Sequence, residues 1–186
     1  CWQVPYEKGC IKAVGYNAAG EITASEEKHS FTDAVRLEVK AEADTVKADG
    51  TDMAFVVISA YDKDGYPVEN ARNRVRVEVE GAGRLVGLDN GDSTDFDEHK
   101  GKSRRLFGGK LLAMIGTKKT AGEIKVTVTS PGLPAETITI QAVEAEAVEG
   151  VACAEESKDR TLYSGGTKGT AIAQGESEIP VRKIEL

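Results

Sequence analysis

The sequence predicts an all-β chain: an immunoglobulin-like β-sandwich of about seven strands over residues 31–141, preceded by the last strands of another β-sandwich domain over residues 1–30. Short segments of period-two hydrophobicity recur from residue 35 to residue 141. Polar turn signals built from Asp, Gly and Pro separate them. No amphipathic stretch of helical period stands between them, which argues against the doubly wound enzyme folds.

In chain order, residues 11–16 alternate as a strand, Asn17-Ala18-Ala19-Gly20 turns, and residues 21–24 begin a second strand. A lone two-stranded hairpin is marginal in water, so this piece reads as the end of a preceding domain. Residues 36–40 alternate around Leu37 and Val39. Residues 53–60 and 111–115 are continuously apolar and read as strands buried on both faces, with Phe55 in the core. Residues 74–80 alternate strictly, Val75, Val77 and Val79 sharing one face. A shorter strand is expected at 84–88, and alternation returns at 124–129 and 137–140. Turns fall at 48–51, 62–67, 80–83 and 130–134. Residues 142–186 read as an extension, acidic and then rich in Gly, Ser and Thr, whose final alternating stretch at 179–186 is a further expected strand.

Composition narrows the chemistry. The chain has 186 residues, with 24 Lys and Arg against 31 Asp and Glu, a net charge of -7. That balance argues against nucleic acid as a partner. No run approaches the ~18 apolar residues of a membrane span. The three cysteines, Cys1, Cys10 and Cys153, match no zinc spacing and no disulfide-dense scaffold. His29 and His99 have no evident catalytic or metal-binding partner in the sequence. Gly81-Ala82-Gly83 followed by Gly87 precedes a strand rather than a helix, so it is a turn and not a nucleotide loop. The chain opens on Cys1 without a leader, and reads as part of a longer protein.

Two candidate sites stand out. Residues 89–98 carry Asp89, Asp92, Asp95 and Asp97, oxygen donors of the kind Ca²⁺ takes, though not at EF-hand spacing. The competing reading is an inter-strand loop held by Asx-turns and by Lys102, Arg104 and Arg105. Tyr61 and Tyr66 flank the Asp-Gly turn and are the paired aromatics available to stack on a sugar. Core and turn packing is the bland reading of the same two rings.

Four stretches in series carry a resemblance: residues 47–56, residues 62–68, residues 83–92 and residues 100–110. Together they resemble the C-terminal immunoglobulin-like domain of bacterial β-galactosidases of glycoside hydrolase family 2. Residues 2–9 and 12–16 resemble the closing strands of the β domain that precedes it there. Ser93 departs from the family, which often has Pro at that place. The resemblance implies a parent enzyme that hydrolyses β-galactosides with retention, using two glutamates of an upstream (β/α)-barrel. This chain has no alternating βα units, so no catalytic or cofactor-binding residue is carried over. The implied role is a non-catalytic accessory domain. Its partners are the catalytic and other β domains of the same parent chain or a second protomer, the glycan being the parent's substrate. The resemblance also implies a periplasmic or extracellular bacterial setting. The alternatives are a carbohydrate-binding module that tethers the enzyme to glycan and, more weakly, an adhesin-like immunoglobulin domain.

Overall fold

A computed structural model describes residue 1 and residues 3–150. Trp2, Cys153, the Gly/Ser/Thr-rich stretch and the expected strand at 179–186 lie outside the described residues.

The described residues form strands and no helix. In order they are β1 (Cys10–Tyr16), β2 (Ile22–His29), β3 (Arg36–Ala41), β4 (Thr45–Lys47), β5 (Met53–Tyr61), β6 (Arg74–Gly81), β7 (Gly83–Asp89), β8 (Ser103–Arg105), β9 (Lys110–Thr117), β10 (Gly122–Ser130) and β11 (Leu133–Val143). A five-stranded sheet runs β4-β11-β10-β6-β8, and a four-stranded sheet runs β3-β5-β9-β7. Pairing is antiparallel throughout, except that β4 lies parallel to β11. β1 and β2 form a separate hairpin.

The core lies between the two larger sheets, where alternation puts it. β5 turns Ala54, Val56, Ile58 and Ala60 inward, and β9 turns Leu111, Ala113 and Ile115 inward. Val75 and Val77 of β6, Ile124, Val126 and Val128 of β10, and Ile140 of β11 meet them from the other sheet. Each large apolar side chain so buried contributes about 1.5–3 kcal/mol.

Three features depart from expectation. First, β5 and β9 are not buried on both faces. Phe55 is 37% exposed, and Val57, Leu112 and Met114 are half-buried on the outward face. A continuous apolar run cannot distinguish a second buried face from one that this chain alone leaves open. Second, β4 and β8 have three residues each, too few to show a period. Third, β11 runs past residue 141 to Val143, and beyond it the Val148 amide donates to the Asp49 carbonyl at 3.1 Å.

The passage between sheets is tight. Gly81 ends β6 with φ 83°, and a Cβ there would run into the Glu123 carbonyl. Two residues on, the chain has entered β7 in the other sheet.

The hairpin is exposed along nearly all of both strands. It is nonetheless fixed to the sandwich. Lys28 Nζ lies 2.8 Å from Glu69 Oε1, and the His29 ring stacks on Tyr66 with centroids 4.2 Å apart. The Thr32 amide donates to Asp62 Oδ2 at 2.9 Å. Asp62, 1% exposed, also accepts the amides of Asp64 and Tyr66 at 3.0 and 2.8 Å. Burial pushes the Asp62 carboxyl up, but these N–H donors and the Thr32 hydroxyl outweigh it and hold the group below the ordinary range.

Candidate functional site

The outward face of the four-stranded sheet is apolar along its centre. Register places Phe55 opposite Met114 and Val57 opposite Leu112. Val86, at the bulge of β7, lies over Gly116. Arg84 stands beside it, and Lys40 and Glu38 flank the patch on β3.

The acidic loop follows β7 at the edge of this sheet. Its four aspartates do not converge. Asp89 Oδ1 accepts the Gly91 amide at 3.0 Å, Asp92 Oδ1 accepts the Thr94 amide and hydroxyl at 2.9 and 2.7 Å, and Asp95 Oδ1 accepts the Asp97 amide at 2.9 Å. These are Asx-turns, the local use a short carboxylate makes of its own backbone. The Thr94 donors hold the Asp92 carboxyl below the ordinary range, against burial. The Asp97 amide, with Asn90 and Arg104, does the same for Asp95.

Arg104 anchors the loop. Pairing with Val75 gives it a core position, and it is 1% exposed. Nε sits 3.2 Å from Asp95 Oδ2, an ion pair without hydrogen-bond alignment. Nη1 donates to the carbonyls of Leu88 and Asp97 at 3.3 and 3.2 Å and lies 3.1 Å from His99 Nδ1. A side chain of the five-stranded sheet thus holds the edge of the four-stranded one. Arg105 contributes its carbonyl to Asn90 at 3.0 Å. Two cations unsuspected from sequence also serve the loop: Arg74, 3.0 Å from Asp97, and Arg72, 3.8 Å from Asp92. Phe96 at the tip is 100% exposed, above a cleft of about 290 Å³ lined by Arg72, Arg74, Asp92 and Arg105.

The two tyrosines are each engaged on a ring face. Arg36 Cζ lies 4.5 Å from the Tyr61 ring centroid, and His29 covers Tyr66. Burial, then the neighbouring Glu38 carboxylate, raises the Tyr61 phenol above its ordinary pKa.

A third constellation has no sequence signature. Cys10, Glu27 and His29 bring a thiol, a carboxylate and an imidazole together with all donor atoms within 4.8 Å of one another. Among the described residues no other group of three or more His, Cys, Asp or Glu does so. The signal that would have found it is hairpin register: Cys10 pairs with His29.

Residues 37–139 match the model of the glycoside hydrolase family 2 C-terminal domain 5. A β-galactosidase of Bacteroides ovatus is 30% identical over 143 residues, 77% of this chain and 17% of that protein. A putative β-glucuronidase of Formosa agariphila is 28% identical over 61% of this chain and 11% of its own length. Among solved structures, a family 2 member from Bacteroides cellulosilyticus superposes with TM-score 0.73 at 27% identity, over 78% of this chain and 18% of that one. A β-glycosidase from Bacteroides vulgatus gives 0.71 at 29% identity, over 76% and 18%. The chain therefore spans less than a fifth of these relatives' lengths. With the matched residues running from β3 into β11 and the sandwich reproduced in solved family members, this chain belongs to the C-terminal domain 5 family of glycoside hydrolase family 2 enzymes.

Proposed function

We propose that the chain is a non-catalytic accessory domain of a multidomain enzyme that hydrolyses β-galactosides. Its work is to dock on other domains of the same parent chain through the apolar face of the four-stranded sheet and the loop that ends in Phe96. The apolar ladder Phe55–Met114 and Val57–Leu112 carries this reading, because such a face is costly to leave in water. The open hairpin supports it. Ile11, Tyr16 and Ile22 are more than half exposed on a two-stranded sheet, as expected of closing strands whose domain lies upstream. The Bacteroides ovatus relative supports β-galactoside as the parent's substrate.

The test uses the full-length enzyme. Phe55→Ser with Leu112→Ser should lower its Tm and its hydrolysis of a chromogenic β-galactoside, and lower its Tm by more than the same changes lower that of the isolated chain. An enzyme indifferent to both changes refutes the docking role. Hydrolysis by the isolated chain would refute the non-catalytic role. Saturable galactose or galactan binding by the isolated chain, lost in Tyr61→Ala or Tyr66→Ala, would make it a targeting module instead.

A further inference from the structure

We propose that the β1–β2 hairpin holds a Zn²⁺ ion on Cys10, Glu27 and His29. Antiparallel register sets Cys10 opposite His29, where facing side chains start ~5 Å apart. Glu27 precedes His29 by two residues and so shares its face. One face of the hairpin thus presents sulfur, nitrogen and oxygen donors, all within 4.8 Å. A His29 nitrogen, Nε2, is 3.0 Å from Glu27 Oε1. Two ligands on a tetrahedral zinc at ~2.0 Å stand ~3.3 Å apart, so this pair is nearly set. The thiol closes the third position at ~2.3 Å from the metal.

Two neighbours arrange the site. Tyr66 stacks on the His29 ring at 4.2 Å and 8° and fixes its plane. Lys12 Nζ approaches the other carboxylate oxygen, Glu27 Oε2, at 3.6 Å, which leaves Oε1 to the metal. A thiolate–imidazole–carboxylate set suits zinc and disfavours Ca²⁺ or Mg²⁺, which take oxygen. Three protein ligands leave a fourth tetrahedral position for water, the three-ligand open form. Cys10 and His29 also line a cleft of about 670 Å³ with Val4, Tyr6, Ile11 and Phe31.

The test is a Zn²⁺ titration of the reduced, metal-free 186-residue chain against a chromogenic chelator, repeated with Co²⁺. One equivalent should bind at or below about micromolar concentration, and the Co²⁺ form should show thiolate charge-transfer absorption. Bound Zn²⁺ should protect Cys10 from iodoacetamide while Cys1 stays reactive. Cys10→Ser and His29→Ala should each weaken binding at least about tenfold, and Cys1→Ser should not. No stoichiometric binding, no thiolate band or no protection of Cys10 would overturn the site, and these readouts need no variant to fold. Equal affinity in Cys10→Ser would overturn it as well.

Discussion

The two outer faces of the sandwich share one core and differ in what they offer outside it. On the five-stranded sheet, Lys125 lies 3.7 Å from Glu80, Arg76 lies 3.0 Å from Glu78, and the Thr127 and Thr137 hydroxyls meet at 3.3 Å. On the four-stranded sheet the corresponding positions are Phe55, Val57, Leu112 and Met114. The inward residues of both sheets are mostly apolar, with Arg104 of β8 the large exception. Inward alternation therefore builds the fold, and the outward residues distinguish a polar face from an apolar one.

The largest expected effect tests what joins the faces. Arg104→Ala removes the buried cation that ties β8 to the Leu88 carbonyl and to Asp95. It should cost about 3–5 kcal/mol in chemical denaturation. Hydrogen exchange should accelerate first in the acidic loop and β7. Uniform acceleration across both sheets would show that Arg104 does not act at that edge.

Next is the crossing itself. Gly81→Ala forces a side chain into a left-handed residue against the Glu123 carbonyl. A loss of about 3 kcal/mol is expected by thermal melting. A neutral substitution would mean that the two sheets can shift relative to the crossing.

Acid should act on the joints rather than on either face. The carboxyls of Asp62, Asp92 and Asp95 are held below their ordinary range when folded. Their stabilisation is therefore complete above the unfolded pKa of ~3.9 and is lost as pH falls through the lower folded values. Melting followed from pH 7 to pH 2 should show a decline that starts near pH 4. Asp62→Asn should flatten it, and an unchanged acid limb in that variant would remove Asp62 as a cause.

The smallest effects sharpen the comparison most. Phe55→Ser in the isolated chain should change stability by no more than about 1 kcal/mol, and Thr127→Ala by about 0.5 kcal/mol or less. If Phe55→Ser costs as much as a core truncation, about 3 kcal/mol or more, the apolar face is part of the core and the contrast collapses.

The fold was legible where period and punctuation agreed. The seven longer strands between residues 35 and 143 follow from alternation, from the two continuous apolar runs of β5 and β9, and from Gly-containing turns. β4 and β8 were not legible, because each contributes one inward side chain, Val46 and Arg104, and one residue shows no period. Phe55 reads as core because a continuous apolar run does not say which of its two faces the opposite sheet covers. In the acidic loop the Asx-turns and Arg104 could be anticipated from proximity, whereas Arg72 and Arg74 arrive from a distant turn and strand. The Cys10–Glu27–His29 group was hidden for the same reason: its members are 17 and 19 residues from Cys10, and register alone brings them together.

The three-residue strands have a consequence beyond packing. β11 is eleven residues long and would be a ready template if its free side faced solvent. β4 pairs with only its last three residues, Gln141 to Val143, and β8 pairs with only Arg74 to Arg76 of β6, so each edge of this sheet is stepped, a short strand occupying one end of a longer one. The step keeps a foreign strand from pairing along the full length of β11 or β6.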